Sequence, residues 1–299
     1  MTTTRTVGRI LDAHAAIAEA PEASPTDLAF MARQLVQATL PHSDPGAIPV
    51  WKRTNGRLTL TIRPTFDDTD RPLYPYGTIP RLLLFWMTTE AVRTGQRRLE
   101  LGDSLAGFMR EIGLDPSRGG KRSDATRLRN QMTRLFRATI SFDEKLQDGD
   151  RAGARWLDMS VAPKGEMWWT PRALDQAALW GSWVELGEEF HKAITAAPVP
   201  VDMRALRGLQ RSPMALDLYA WATYRAFTAT QSGKPVVVAW RALGDQLGAD
   251  YSDTADLKKS IQAALRKVRV VYPALRVESV AGGIKLLPSA TAIKARPRA

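Results

Sequence analysis

GLDPSRGGKRSDATRLRNQMTRLFRATISF, residues 113–142, decides how this chain is read. Between Arg118 and Arg137 it carries seven basic residues (Arg118, Lys121, Arg122, Arg127, Arg129, Arg134, Arg137) against one acid, Asp124. At about 100° per residue, a helix beginning near Ser123 sorts them. Leu128, Met132, Leu135, Phe136 and Thr139 share one side, a core seam. Ser123, Thr126, Arg127, Asn130, Arg134 and Arg137 share the other. Guanidinium forks interleaved with short hydrogen-bonding side chains suit a DNA groove: Arg matches phosphates and guanine edges, Asn matches adenine. Lys121 and Arg122 fall at the N-terminal end, where unpaired backbone N–H groups add to the attraction for anions.

The flanks of this helix predict its setting. LELGDSLAGFMREIG (99–113) reads as a short strand, a cap at Asp103 and a short helix with Leu105, Phe108, Met109 and Ile112 on one stripe, closed by Gly113. Behind the basic helix come β-rich ATISF (138–142), a polar loop at 143–151, a second strand at 155–161 and a third apolar piece, EMWWT (166–170). Short helix, turn, basic helix and ribbon are the order of a winged helix. Ahead of them, Asn55-Gly56 predicts the tight turn of a hairpin over 51–62, and 77–95 a helix with Pro80 near its start and Gly95 near its end.

The same order recurs. Helical 212–227 precedes a strand and short helix at 236–248, a basic helix at 256–273, and a hairpin at 274–288 with Gly282-Gly283 at its tip. In this second basic helix Leu257, Ile261, Ala264, Leu265 and Val268 point one way. Lys259, Gln262, Ala263 and Arg266 point the other, with Lys258 and Arg269 on the flanks. A single basic face has a bland reading as solvated surface; two in one repeated architecture point to nucleic acid.

The expected fold is therefore α+β: two tandem winged-helix domains behind an N-terminal helical arm. The arm (1–45) is read as two helices, one with the stripe Val7, Ile10, Leu11, His14, Ile17, the other started by Ser24-Pro25-Thr26-Asp27. The first domain is placed at 46–180, the second at 181–290 and a basic flexible tail at 291–299, with the run from Pro171 to Pro200 read as the linker. Two reading helices on one chain predict contacts to adjacent major grooves, about one helical turn apart.

Bulk properties agree. The chain has 299 residues, 42 Lys+Arg against 31 Asp+Glu and a net charge of +11, which favours a polyanionic partner. There is no cysteine, so disulfides, thiolate chemistry and Cys-ligated zinc are excluded. No run is apolar enough to span a bilayer and no signal segment opens the chain, which reads as cytoplasmic with no membrane partner. The three histidines, His14, His42 and His191, lack metal-ligand spacing. The acidic loop FDDTDRP (66–72) reads as a solvated turn, and GGKRS (119–123) lacks the first glycine and the hydroxyl of a phosphate loop. Most tryptophans lie among apolar neighbours and read as core. No catalytic residue, metal or cofactor is expected.

Several long blocks, among them 76–114, 126–142, SWVELGEEFHKAI (182–194), PVPVDMRALRGL (198–209) and SPMALDLYAWATYR (212–225), resemble the RepA-type plasmid replication initiators, relatives of the twin winged-helix initiators that bind iterons. The resemblance spans about 45–290. It implies a bacterial cytoplasmic protein without enzymatic activity that binds repeated double-stranded sites at a plasmid origin. It further implies help in opening adjacent AT-rich DNA and recruitment of the host replication initiator and replicative helicase. By the same resemblance the helix around Lys258–Arg269 reads bases, the helix around Arg127–Arg137 holds the neighbouring groove and backbone, and the chain can form a homodimer. The alternative reading is a dimeric winged-helix repressor with no initiation role.

Overall fold

The computed structural model describes residues 2–117, 120, 123–168 and 181–293, with side chains from residue 6 onward. The chain opens with α1 (Thr2–Glu19), β1 (Leu28–Ala32) and the short α2 (Arg33–Gln37). The Ser24-Pro25-Thr26-Asp27 signal does not start a helix. Its capping-box contacts form, with Ser24 Oγ donating to the Asp27 carboxylate at 2.5 Å, yet they close a turn. The next segment, LAFMA, is a strand because it finds a partner far along the chain. The stripe on α1 is also rotated from expectation: Ile10 and Ala13 are buried, while Val7 and Leu11 face solvent.

Next comes a hairpin of β2 (Trp51–Asn55) and β3 (Leu58–Arg63). Asn55 pairs with Leu58, so the two-residue turn is Gly56-Arg57 and not Asn55-Gly56. Only Gly56 has positive φ (59°), which matches a turn that needs glycine at its first central position. A small pair, β4 (Thr65–Phe66) with β5 (Pro72–Leu73), leads to α3 (Thr78–Thr94). Gly77 opens α3 and Gly95 closes it at φ 69°. Residues 78–88 of α3 are all buried, as an apolar run without a polar face requires.

After β6 (Arg98–Glu100) and α4 (Leu105–Glu111) come α5 (Asp124–Phe136), β7 (Thr139–Asp148) and β8 (Arg151–Ser160). The cap of α4 is Ser104, accepting from Gly107 N at 3.1 Å, and not Asp103. The expected loop at 143–151 is mostly strand. β7 and β8 pair from Thr139↔Ser160 to Asp148↔Arg151 around a Gly149-Asp150 turn, giving a ribbon that runs beyond the end of β3. The four-stranded sheet has the order β2-β3-β7-β8. β9 (Lys164–Glu166), β10 (Trp183–Glu185) and α6 (Glu188–Ala196) come after it in the chain, and β6-β10-β9 form a second sheet.

The remainder is β11 (Pro198–Asp202), α7 (Met203–Leu209), α8 (Pro213–Ser232), β12 (Val236–Ala239), α9 (Trp240–Gln246), α10 (Thr254–Val271), β13 (Val277–Val280) and β14 (Gly283–Leu286). β12-β14-β13 form a three-stranded sheet. The turn between its last two strands is Ala281-Gly282, since Val280 pairs with Gly283.

Each unit thus contains a winged helix, α4–α5 with β7–β8 in one and α9–α10 with β13–β14 in the other. The division of the chain differs from a simple tandem. Residues 1–42 and 198–299 form one compact unit, 43–197 the other, so the second is inserted into the first. Pairing explains both departures from the expected boundaries. β1 pairs antiparallel with β11, Leu28↔Asp202 to Ala32↔Pro198, which ties the N-terminal arm to the C-terminal winged helix. β10 pairs with β6, Val184↔Leu99, which keeps residues 181–197 in the inserted unit. The expected tail beyond residue 293 and the linker residues 171–180 lie outside the described residues.

Candidate nucleic-acid interface

In the inserted unit α5 is built as its sequence demands. Ser123 is its N-cap, its side chain accepting from Thr126 N at 3.2 Å. Leu128, Met132, Leu135 and Phe136 are buried. The opposite face divides in a way the wheel does not reveal. Arg127, Asn130 and Arg137 are exposed. Arg127 is drawn back toward Asp124 at 3.2 Å, an i,i+3 pair. Arg134 is internal, with a side chain 14% exposed. It donates to the Tyr74 carbonyl at 3.1 Å, lies 3.8 Å from the Asp44 carboxylate and sits 5.3 Å from the Tyr76 ring centre. Gln131 accepts from Tyr76 N at 3.0 Å beside it. Arg134 therefore locks α5 onto segment 74–76. Ser123 is buried and spends its oxygen on the cap, and Thr126 donates to the Gly120 carbonyl at 3.1 Å. These two shape the turn before α5. Lys121 and Arg122 lie outside the described residues.

In the other unit α10 keeps its expected face more completely. Asp253 caps it, accepting from Ala255 N at 2.9 Å. Leu257, Ile261, Ala264, Leu265, Val268 and Val271 are buried. Lys258, Lys259, Arg266 and Arg269 are exposed, with Gln262 and Ala263 half-buried between them. Lys258 rests 5.7 Å from the Trp240 ring centre, a cation–π contact that orients it. Lys259, Arg266 and Arg269 form no salt bridge among the described residues. The acids Asp253 and Asp256 sit at the first turn, so the positive charge is carried by the middle and end of the helix. α9 crosses α10 closely: a Cβ at Gly244 would lie 2.5 Å from Leu257 Cδ2. That glycine, inside the first helix of a helix-turn-helix, is a sequence signal for the crossing that periodicity by itself does not reveal.

Sequence reasoning placed a ribbon here but missed how far it extends and which side chains it exposes. Lys145, Arg151 and Arg155 are exposed on β7–β8, and Trp156 is 69% exposed. The Asp148-Gly149 step between alternating runs was the sign of it. The other candidates have structural roles. Asp67 in the acidic loop accepts from Thr69 and Arg71, which hold its carboxyl below the usual range. His42 pairs with Asp217 at 2.8 Å, and burial, then Arg97, push the His191 pKa down. Trp86, Trp221 and Trp240 are core, whereas Trp168 is exposed; Trp169 and Trp180 lie outside the described residues. Among the described residues no cluster of acids and histidines fits a metal, and no helix is long and apolar enough to cross a membrane.

The sequence model of a family described as "Plasmid encoded RepA protein" matches residues 74–241, a span that includes α5 and reaches the start of α9. No curated protein matches the sequence. Two solved structures resemble the chain in outline. A crystal structure of RctB domains 2-3 has 9% identity and a TM-score of 0.42 over 85% of this chain and 95% of its own. A selenomethionine form of domains 2 and 3 of RctB has 10% identity and a TM-score of 0.45 over 88% and 97%.

Proposed function

Because the chain belongs to the family of plasmid-encoded RepA proteins, we propose that it initiates plasmid replication by binding repeated double-stranded sites at the origin through α10 and α5. One observation carries the reading: the solvent face of α10, where Lys258, Lys259, Arg266 and Arg269 surround Gln262 and Ala263. Cations there serve phosphates and guanine edges, Gln262 suits adenine, and Ala263 suits a thymine methyl. α5 offers a narrower face, Arg127, Asn130 and Arg137, and supports a second contact in which Asn130 is the amide open to a base edge. The protein acts by binding and not by cutting: its work is to mark the origin, assist opening of adjacent AT-rich DNA and bring in the host initiator and replicative helicase.

The test is a footprint on the parent plasmid at moderate salt with competitor DNA. Protection of regularly spaced repeats beside an AT-rich stretch is the expected result. Protection confined to one inverted repeat over a promoter would instead make the protein a repressor, and no protection at all would sink the DNA-binding reading.

A further inference from the structure

α10 ends at Val271, and the chemistry of its last turn is unusual. Pro273 stands where Arg269 O would find its helical donor, and it has no N–H to give. The next carbonyl, Val270 O, is met by a side chain from the other end of the chain: His14 Nδ1 lies 2.8 Å away. A carbonyl only accepts, so Nδ1 carries the hydrogen and donates. Helix ends whose carbonyls lack partners fray, and Arg266 and Arg269 lie within the last two turns of α10.

α1, which brings His14, is itself anchored. Arg204 of α7 donates from its Nη1 to Ala16 O at 3.1 Å and to Ala20 O at 2.7 Å, closing the C-terminal end of α1 with a positive charge. Its Nε and Nη2 grip Asp202 at 3.0 and 2.7 Å, and Asp202 N donates to the buried Tyr219 hydroxyl at 3.0 Å. α1 and α7 also approach closely: a Cβ at Gly208 would lie 2.8 Å from Ala13 Cβ. Two helix ends are thus closed by side chains, α1 by Arg204 and α10 by His14.

We propose that the N-terminal helix is a working part of the C-terminal reading head, with His14 and Arg204 as positioning residues that hold the last two turns of α10, and with them Arg266 and Arg269, in the geometry that distinguishes one DNA sequence from another. The inference rests on α10 being the base-reading helix. It assigns a role to α1 that its sequence, an amphipathic helix at a chain end, does not suggest.

The full-length protein tests it with a duplex carrying one origin repeat and a random duplex of equal length. His14→Leu and His14→Asn have nearly the same branched shape, but only Asn keeps an N–H near the position of Nδ1. The preference for the repeat, the ratio of the two Kd values, is measured for both, with amide exchange over residues 268–272 and with Arg266→Ala as a control. His14→Leu is expected to lower the preference roughly fivefold, the size of one net hydrogen bond, and to speed exchange in the last turn of α10. His14→Asn is expected to restore both. An unchanged preference in His14→Leu, while Arg266→Ala still lowers it, would overturn this proposal alone. The same holds for an equal loss on both duplexes, or for a loss that His14→Asn fails to rescue. If Arg266→Ala leaves the preference intact, the base-reading assignment of α10 fails, and the proposal with it.

Discussion

Asn130 and Arg134 stand one turn apart on α5, and the helical wheel treats them alike. Their surroundings do not. Asn130 opens to solvent, whereas Arg134 has its guanidinium on the Tyr74 carbonyl and near Asp44. Arg134→Ala is therefore expected to lower the stability of the inserted unit by about 1–3 kcal/mol, because it leaves a buried carbonyl without its donor. Urea unfolding checks this. Asn130→Ala should leave the urea midpoint nearly unchanged and weaken DNA binding. On α10, Arg266→Ala or Gln262→Ala should cost about 1–3 kcal/mol on the correct site and relax its sequence preference. Binding isotherms on matched and mismatched duplexes would show it.

Helices and strands add constraints that single residues do not show. Gly248 reads in sequence as the stop after a short helix. In the fold it lies under the segment 39–42: Thr39 N donates to Gln246 O at 3.0 Å, Gly248 N to Thr39 Oγ1 at 2.8 Å and His42 N to Gly248 O at 2.6 Å. A Cβ at Gly248 would collide with the Leu40 carbonyl. Gly248→Ala should cost at least about 2 kcal/mol in the unit formed by 1–42 and 198–299, read from its thermal transition. The buried tyrosines set an alkaline limit. Tyr74 donates to Ile48 O at 2.9 Å, and burial pushes its pKa up to about 12; burial also raises Tyr219 and Tyr272. Unfolded tyrosines titrate near 10. Above that pH the unfolded chain releases protons that the folded chain retains, so stability falls as pH rises from about 10 through about 12. The urea midpoint should drop across that window, and Tyr74→Phe should lessen the drop in the inserted unit.

Across the whole molecule the excess of positive charge and the insertion make separate predictions. If about 6–8 phosphates are neutralised, log K should fall against log[salt] with a slope of roughly −5 to −7. Filter-binding titrations between low and moderate salt would measure it. A chain lacking residues 1–42 loses β1, the partner of β11, together with α1 and the segment over Gly248. Its C-terminal unit should therefore fail to give a cooperative transition, while the inserted unit, 43–197, keeps its own. Differential scanning calorimetry of the truncated and full chains separates the two outcomes.

The range of each interaction sets how much of the molecule was legible in its sequence. Local chemistry determined α3, α5, α8 and α10, the glycine that closes α3, and the core seam Leu128, Met132, Leu135, Phe136, because caps and helical periodicity act over a few residues. The repeated order of helix, helix and hairpin, and the charge that points to DNA, were legible for the same reason. Tertiary structure alone decided that LAFMA is a strand, since its partner PVPVD lies some 170 residues away in sequence. It decided that Arg134 is a lock, through Asp44 and Tyr74, and that His14 closes α10, through a carbonyl near the far end of the chain. It also decided that one unit is inserted in the other. Strand pairing and the partners of buried polar groups depend on which distant segments meet in space, and neither local periodicity nor composition records those meetings.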